Sequence, residues 1–350
     1  MLDHKKNIFT VISLDKKIGG ISEMIELSSL AMLQSTKKVN IYLPRNSDTF
    51  FQIKKKFINN KKINVNYILR IDRFLLKLGL LSKNLKKAIS LSDFIFAHNA
   101  ELGKSLKNFS KLKPIILFFH TDKIKQIKKL KHFSKVFSVN TSMTKTINSY
   151  FNIDKAYFLP NCINFQNKST FFKKEKENIK FTVGAMGRLV EKKGFERLIE
   201  LFIKLPEINL LIGGDGPLMK KLLEKSRGYK NIKLLGWVKN KSDFYSKIDV
   251  FCSSSNIEPF GIVILEAMAM GVPVISTDCR GPVDIINNGY NGILVKENNF
   301  IELQKYLKKL KKDKTLLKKF SKNGVSEFQK KYTFEAYKKN LFSLLGSIER

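Results

Sequence analysis

The 350-residue chain is poor in cysteine: it has three, Cys162, Cys252 and Cys279, with no paired spacing. That excludes a zinc ribbon or a disulfide framework and leaves reduced thiols in a cytoplasmic protein as the expectation. Long apolar runs are also missing. None approaches the ~18 or more uninterrupted apolar residues of a membrane-spanning helix. The opening Met-Leu-Asp-His-Lys-Lys-Asn-Ile-Phe leads directly into a strand pattern, with no apolar signal segment. Acidic residues are few beside basic ones, 30 against 65, for a net charge of +35. Residues 1–170 hold 31 Lys/Arg and 10 Asp/Glu, or +21, and the rest hold 34 and 20, or +14. Part of this excess is compositional drift toward Lys, Asn, Ile and Phe. The remainder suits anionic company, such as a membrane surface or phosphorylated substrates. Nucleic acid is not the expected partner, because the charge is mostly lysine scattered over helical patterns, without the arginine and aromatic interleaving of a recognition module.

What is present is alternation. Apolar runs at Ile8–Leu14, Val39–Leu43, Val65–Leu69, Phe94–Ala97, Ile115–Phe119, Val136–Val139 and Tyr157–Leu159 are separated by helical patterns. A polar, lysine-rich stretch without period, residues 165–178, reads as a linker. A second series follows: Phe181–Met186, Asn209–Ile212, Ile232–Leu235, Val250–Cys252, Val274–Ser276 and Ile293–Val295. Strand alternating with helix predicts an α/β chain of two parallel-sheet, Rossmann-like domains, about two domains being what this length allows. Ligands on such sheets collect beyond the carboxyl ends of the strands.

The richest loop-bearing stretch is Asn256-Ile-Glu-Pro-Phe-Gly-Ile-Val-Ile-Leu-Glu-Ala-Met-Ala-Met-Gly271. It turns through Pro259 and Gly261 into a helix carrying Ile264, Leu265, Met268 and Ala269 on a buried face. Glu258 lies in the loop and Glu266 about two turns along the helix. Free N–H groups at the helix start can hold an anion, so the pattern suits a phosphorylated, hydroxyl-rich ligand. Upstream stand Gly187-Arg-Leu-Val-Glu-Lys-Lys-Gly194, the glycine-rich Gly213-Gly-Asp-Gly-Pro217 and Gly236-Trp237. The adjacent glycines Gly19 and Gly20 follow the first strand, and His98 and His120 end two others. There is no G-x-G-x-x-G, which sets aside a nicotinamide dehydrogenase.

These segments resemble the signature of the retaining glycosyltransferases of family 4. The resemblance runs through nearly all of the second half and is sparse in the first. It implies a GT-B fold: two Rossmann-like domains facing across a cleft. Residues 1–164 would be the acceptor-binding domain, 165–178 the linker, 179–331 the nucleotide-sugar domain, and 332–350 a helix crossing back. It implies that Arg188 and Lys193 meet the donor diphosphate and that Glu266 takes the ribose hydroxyls. Glu258 would bond sugar hydroxyls near the reacting carbon, stabilising the transition state rather than acting as nucleophile. Backbone groups of Gly261, Ile262 and Val263, beside Phe260, would face phosphate or sugar, and Gly236 would border the base. Gly19 and Gly20 match a glycine pair at the donor pyrophosphate, and His120 matches the active-site histidine. Where the family's usual landmark reads Pro-Asn-Gly-(Val/Ile)-Asp, Cys162 and Asn164 stand in place of Gly and Asp.

The expected activity is therefore retaining transfer of a sugar from a nucleotide diphosphate, of the UDP type on family frequency, to a glycan or lipid-linked acceptor. No cofactor is implied. With no Asp-x-Asp in the chain, no metal bridging the diphosphate is expected either. A hydrolase or epimerase of nucleotide sugars, and a basic membrane-surface protein on a dead scaffold, stay open as alternatives. Ile71–Leu91 carries one further expectation. Phe74, Leu78, Leu81, Leu85, Ala88 and Ile89 can share one helical face, with Lys77, Lys83, Lys86 and Lys87 around it and Gly79 allowing a break. Such a helix either covers the first sheet or docks the protein peripherally on anionic lipid.

Overall fold

The computed structural model describes residues 7–164 and 180–346. The expected linker, residues 165–178, lies outside them. The chain forms two compact units. One runs to Cys162 and takes in the chain again from Phe334; the other is Ile163–Thr333.

In the first unit, β1 (Ile8–Ile12), β2 (Lys38–Pro44), β3 (Ile63–Ile68), β4 (Phe94–Ala97), β5 (Ile115–Phe119), β6 (Lys135–Ser138) and β7 (Ala156–Phe158) make one sheet in the order β3-β2-β1-β4-β5-β6-β7. Every pairing is parallel. All five residues of β5 are buried, as in a strand covered on both faces. Alternate residues feed different cores. Phe9, Val11, Phe94 and Phe96 join one cluster, whereas Ile12, Ile95 and Ala97 join another. The first of these clusters also takes Tyr337, Leu341 and Leu345 from the helix Phe334–Gly346. At ~1.5–3 kcal/mol for each buried large side chain, those three contacts anchor the helix in this unit.

In the second unit, β8 (Thr182–Met186), β9 (Asn209–Gly213), β10 (Ile232–Leu234), β11 (Val250–Ser253), β12 (Val274–Thr277) and β13 (Ile293–Val295) form a second sheet in the order β10-β9-β8-β11-β12-β13. It too is wholly parallel. Both sheets reverse their order of growth once, between β1 and β4 and between β8 and β11. At such a switch the two flanking loops diverge and leave a crevice beyond the strand ends.

The stretch 70–91 departs from a single helix face. Gly79 adopts φ +82° and ends a first helix, Arg70–Leu78; a second, Lys83–Ser90, follows. Leu81, Leu85 and Ile89 are buried, but Phe74 and Leu78 are 56% and 52% exposed. The turn at Gly79 resets the helical phase, so residues a periodic count puts on one face point two ways. Among the described residues, no helix is long and apolar enough to cross a membrane.

Candidate active site

The loops flanking the β8/β11 switch are clamped together by main-chain contact. After β8 a short 3-10 turn, Glu191–Lys193, leads to Gly194 at φ +69°. A Cβ on Gly194 would stand 2.1 Å from the carbonyl oxygen of Ser254, just past β11. The Ser254 hydroxyl donates to the Lys193 carbonyl (3.0 Å), and the Asn256 N–H donates to the Lys192 carbonyl (2.9 Å). Only glycine permits that approach. Its consequence is that Lys193 and Glu258, 65 residues apart, form an ion pair from opposite sides of the crevice. Both side chains are largely buried.

The loop bearing Glu258 is held from its other side by Gly281, whose N–H donates to the Glu258 carbonyl at 2.9 Å. A Cβ on Gly281 would lie 2.3 Å from backbone atoms of Phe260. The helix Ile262–Ala269 then starts behind Gly261, at φ +116°. Ile264 and Leu265 both donate back to the Gly261 carbonyl. The N–H groups of Ile262 and Val263 precede these and find no acceptor among the described residues. Val263, Lys193, Glu258, Ser254 and Ser255 line one small recess. Cation, carboxylate and a positive helix end thus converge on one point, which suits an anion bearing hydroxyl groups.

Glu266, only 4% exposed, lies one step deeper. Its Oε2 accepts from the Tyr245 hydroxyl at 2.9 Å, and its Oε1 from Lys241 Nζ at 2.5 Å. The two glutamates singled out in the sequence are therefore each held by a lysine. Lys241 and Tyr245 escape a reading by motif. Lys241 does leave a trace: it opens the helix Lys241–Lys247 directly after the N-cap Asn240. A cation at a helix N-terminus opposes the helix dipole, and here the Glu266 carboxylate offsets that cost.

Arg188 is exposed, and its side chain has no partner among the described residues. Its loop is interlocked with the glycine-rich turn, since Leu189 N–H donates to Asp215 O (2.9 Å) and Gly187 N–H to Gly213 O (3.0 Å); that turn is joined to the next loop by Gly214 N–H donating to Gly236 O (2.7 Å). Gly236 sits at φ +66° with open space where a Cβ would go. Trp237, beside it, is exposed rather than part of the core.

Three of the expected site residues, Gly19, Gly20 and His120, belong to the first unit. Gly19 has extended backbone and caps the helix Gly20–Met32; a Cβ there would meet nothing within 4 Å. The loop after β1 is tied to the loop after β4, as Leu14 N–H and Asn99 Nδ2–H bond to Asn99 Oδ1 (2.6 Å) and Asp15 Oδ2 (3.1 Å) respectively. His120 lies at the end of β5 and is bonded to His98, at the end of β4: Nε2 of His120 is 2.9 Å from Nδ1 of His98. Burial pushes the His120 imidazole down to about 4. The same cause, with His120 adjacent, holds His98 well below its ordinary value. Cys162 is buried, its thiol raised by desolvation, which makes it inert packing.

Residues 166–327 match the family model Glycosyl transferases group 1. An uncharacterised glycosyltransferase of Methanocaldococcus jannaschii is 30% identical over 257 residues, covering 69% of this chain and 72% of that protein. The chain belongs to the glycosyl transferases group 1 family. Another relative in that family's company is the lipopolysaccharide core biosynthesis glycosyltransferase LpsE of Rhizobium meliloti, 34% identical over 162 residues. That match covers 44% of this chain and 48% of LpsE, so the chain spans about half the length of such a curated relative. In structure, the chain resembles Anabaena HepE in complex with UDP and glucose, with TM-score 0.80 and 17% identity over 97% of this chain and 100% of that one. The likeness establishes the GT-B class for this glycosyltransferase-family chain.

Proposed function

We propose that this protein is a retaining, metal-independent glycosyltransferase. It moves a sugar from a nucleotide-diphosphate donor, of the UDP type, to a glycan or lipid-linked acceptor of a cell-surface polysaccharide or lipopolysaccharide. The observation that carries the reading is the Lys193–Glu258 pair beside the open N–H groups of Ile262 and Val263. LpsE, by its name, works in lipopolysaccharide core synthesis, and HepE binds UDP and glucose; both fit the proposal.

In the reaction, the bond from the anomeric carbon to the diphosphate oxygen breaks and the acceptor oxygen bonds that carbon on the same face. The acceptor proton passes to the leaving phosphate. Lys193 and Arg188, with the helix N-terminus, offset the charge that develops on the diphosphate. Glu266, oriented by Lys241 and Tyr245, takes the ribose hydroxyls, and Glu258 the sugar hydroxyls.

The test is product analysis. Purified protein is screened with nucleotide sugars for the one that raises its melting temperature, then incubated with that donor with and without acceptor. The expected outcome is a glycosylated acceptor with retained anomeric configuration. Free sugar as the main product in both arms would support a hydrolase instead, and inversion would overturn the retaining mechanism.

We infer that the acceptor is met at an anionic membrane surface. On the helix Arg70–Leu78, Ile71, Phe74 and Leu78 form an exposed apolar face, continued by Leu80. Arg70, Arg73, Lys77, Lys83, Lys86 and Lys87 lie on or next to this helix, and none pairs with a carboxylate among the described residues. Such a face suits the headgroup boundary, with attraction of ~1 kcal/mol per well-placed cation. Sedimentation with anionic vesicles at low salt should exceed that with neutral ones. It should fall when Lys83, Lys86 and Lys87 become Gln or when Phe74 becomes Ser. Equal binding to both vesicle types removes the inference.

A further inference from the structure

The two histidines at the strand ends form one hydrogen-bonded unit. Their rings lie 5.1 Å apart between centroids with planes 13° apart, and the inner nitrogens are 2.9 Å apart. That is the geometry of a near-coplanar N–H···N bond. His98 is 4% exposed, lies over Phe118 at 4.9 Å, and has its backbone N–H bonded to Ile12 O at 3.0 Å. The two outer nitrogens, His98 Nε2 and His120 Nδ1, are buried and have no partner among the described residues. Buried polar atoms are rarely left so without a ligand or a water to meet them.

Proton counting links the two ends. Two neutral imidazoles carry two N–H groups on four nitrogens, and one of these occupies the shared bond. If His98 Nδ1–H is the donor, His120 Nε2 is bare and His120 must carry its proton on Nδ1. If His120 donates instead, its Nδ1 is bare. The first arrangement makes the outer nitrogen of His120 a donor; the second makes it an acceptor.

We propose that His98 is a positioning residue: it donates from Nδ1 to His120 Nε2 and so holds His120 in the tautomer that presents Nδ1–H to an oxygen of the donor substrate. This rests on the reading of His120 as a donor-site residue. A phosphate oxygen is an acceptor only, and the second tautomer would turn a lone pair toward it. Burial keeps both rings neutral, so the tautomer rather than the charge decides what His120 offers.

The experiment uses the full chain labelled with ¹⁵N-histidine, with long-range ¹H–¹⁵N correlation to read which nitrogen of His120 is protonated. The His120→Ala variant serves to assign the signals. Wild type should show His120 protonated on Nδ1 and bare on Nε2. His98→Asn, whose amide can supply a donor near the same place, should keep that pattern and transfer sugar within a few-fold of wild type. His98→Phe should give a mixture of tautomers and a roughly tenfold lower kcat. A wild-type spectrum with His120 protonated on Nε2 overturns the proposal without any variant. So does a His98→Phe protein whose tautomer and kcat match wild type. His120→Ala separates the two layers. If it transfers sugar normally, the site reading fails, whatever the tautomer spectrum shows.

Discussion

The two units share an architecture but organise their polar residues differently. In the second, the two motif carboxylates are each met by a lysine distant in sequence, Glu258 by Lys193 and Glu266 by Lys241. The loops carrying Lys193 and Glu258 are fixed by main-chain contacts at Gly194 and Gly281. In the first, the strand ends are joined by hydrogen bonds instead of lysine–carboxylate pairs: the His98–His120 bond and the Asp15–Asn99 tie. Gly19 there has open space around it. One sheet edge is fixed by main-chain contacts and ion pairs. The other leaves room and unmet nitrogens. The family model covers 166–327, the side with the tight edge, as expected if a common donor is held there while acceptors vary on the other.

The largest effect should come from exchanging one glycine on each side. Gly194→Ala places a methyl group 2.1 Å from Ser254 O at φ +69°, so both a clash and backbone strain oppose it. We expect a loss of about 3 kcal/mol or more of stability. Gly19→Ala should stay within about 0.5 kcal/mol, because its backbone is extended and nothing lies within 4 Å. Any loss of transfer by Gly19→Ala would then report a ligand rather than the fold. Thermal unfolding and transfer rates of the two variants check this. Equal melting temperatures would break the contrast between tight and open edges.

Next come the charged residues of the tight edge. Lys193→Ala and Glu266→Ala should each weaken nucleotide-sugar binding tenfold to a hundredfold, the range of one lost charge-assisted contact of ~1.5–3 kcal/mol. Glu258→Ala should mainly lower kcat. Because Lys193 and Glu258 pair with each other, either single change strands a largely buried charge. The double variant Lys193→Met/Glu258→Gln should therefore be more stable than the less stable of the singles. Calorimetric binding and unfolding measure the two effects separately. Near-wild-type affinity in the Lys193 or Glu266 variant would remove those assignments.

Much of this was legible beforehand, and the residues show why. Runs such as Ile-Ile-Leu-Phe-Phe in β5 are apolar throughout because both faces of the sheet are covered, and each of the thirteen strands among the described residues overlaps an apolar run. Glu258, Gly261 and Glu266 sit in one continuous motif, and Gly79 announces its own turn. The partnerships are another matter. Lys193 and Glu258 are 65 residues apart, and Lys241 and Glu266 are 25 apart; no periodicity relates such positions. The His98–His120 bond depends on β4 and β5 being neighbours in register, which sequence suggests only loosely. The face of Phe74 and Leu78 shows the opposite failure. A regular count continued across Gly79 groups them with Leu81 and Leu85, while the turn sends the two sets apart.

The open edge should show itself in pH dependence. His120 is pushed down to about 4 from an ordinary 6.5 by burial, so below pH ~6.5 the unfolded chain binds a proton that the folded one refuses. Stability is complete above that value and falls as the pH drops toward 4. His120 alone should remove about 2 kcal/mol between pH 7 and pH 5, above the range where most carboxylates titrate. His98 shifts in the same direction and adds to the loss. Urea unfolding at pH 7, 6 and 5 reads the slope, and a His98→Phe/His120→Phe protein should flatten it. An equally steep slope in that protein would place the titration elsewhere.

The smallest expected effect is that of a chelator. Metal-bridged diphosphates are held by closely spaced carboxylates, and the sequence has no Asp-x-Asp. Glu258 and Glu266 are engaged by lysines instead, whose fixed charge a divalent cation would have to displace. Lys193 lines the recess together with Val263 at the start of the helix, and Arg188 stands exposed nearby in sequence. Two cations and a helix N-terminus can offset the charge of a leaving diphosphate without an ion. Initial rates with and without excess EDTA should therefore agree within error, and added Mg²⁺ or Mn²⁺ should change them less than twofold. Loss of transfer in EDTA, restored by one of these metals, would show that the diphosphate charge is met by an ion and that Lys193 serves Glu258 alone. Lys193→Ala would then cost kcat through Glu258 while leaving donor affinity unchanged, a pattern distinct from the binding loss expected above.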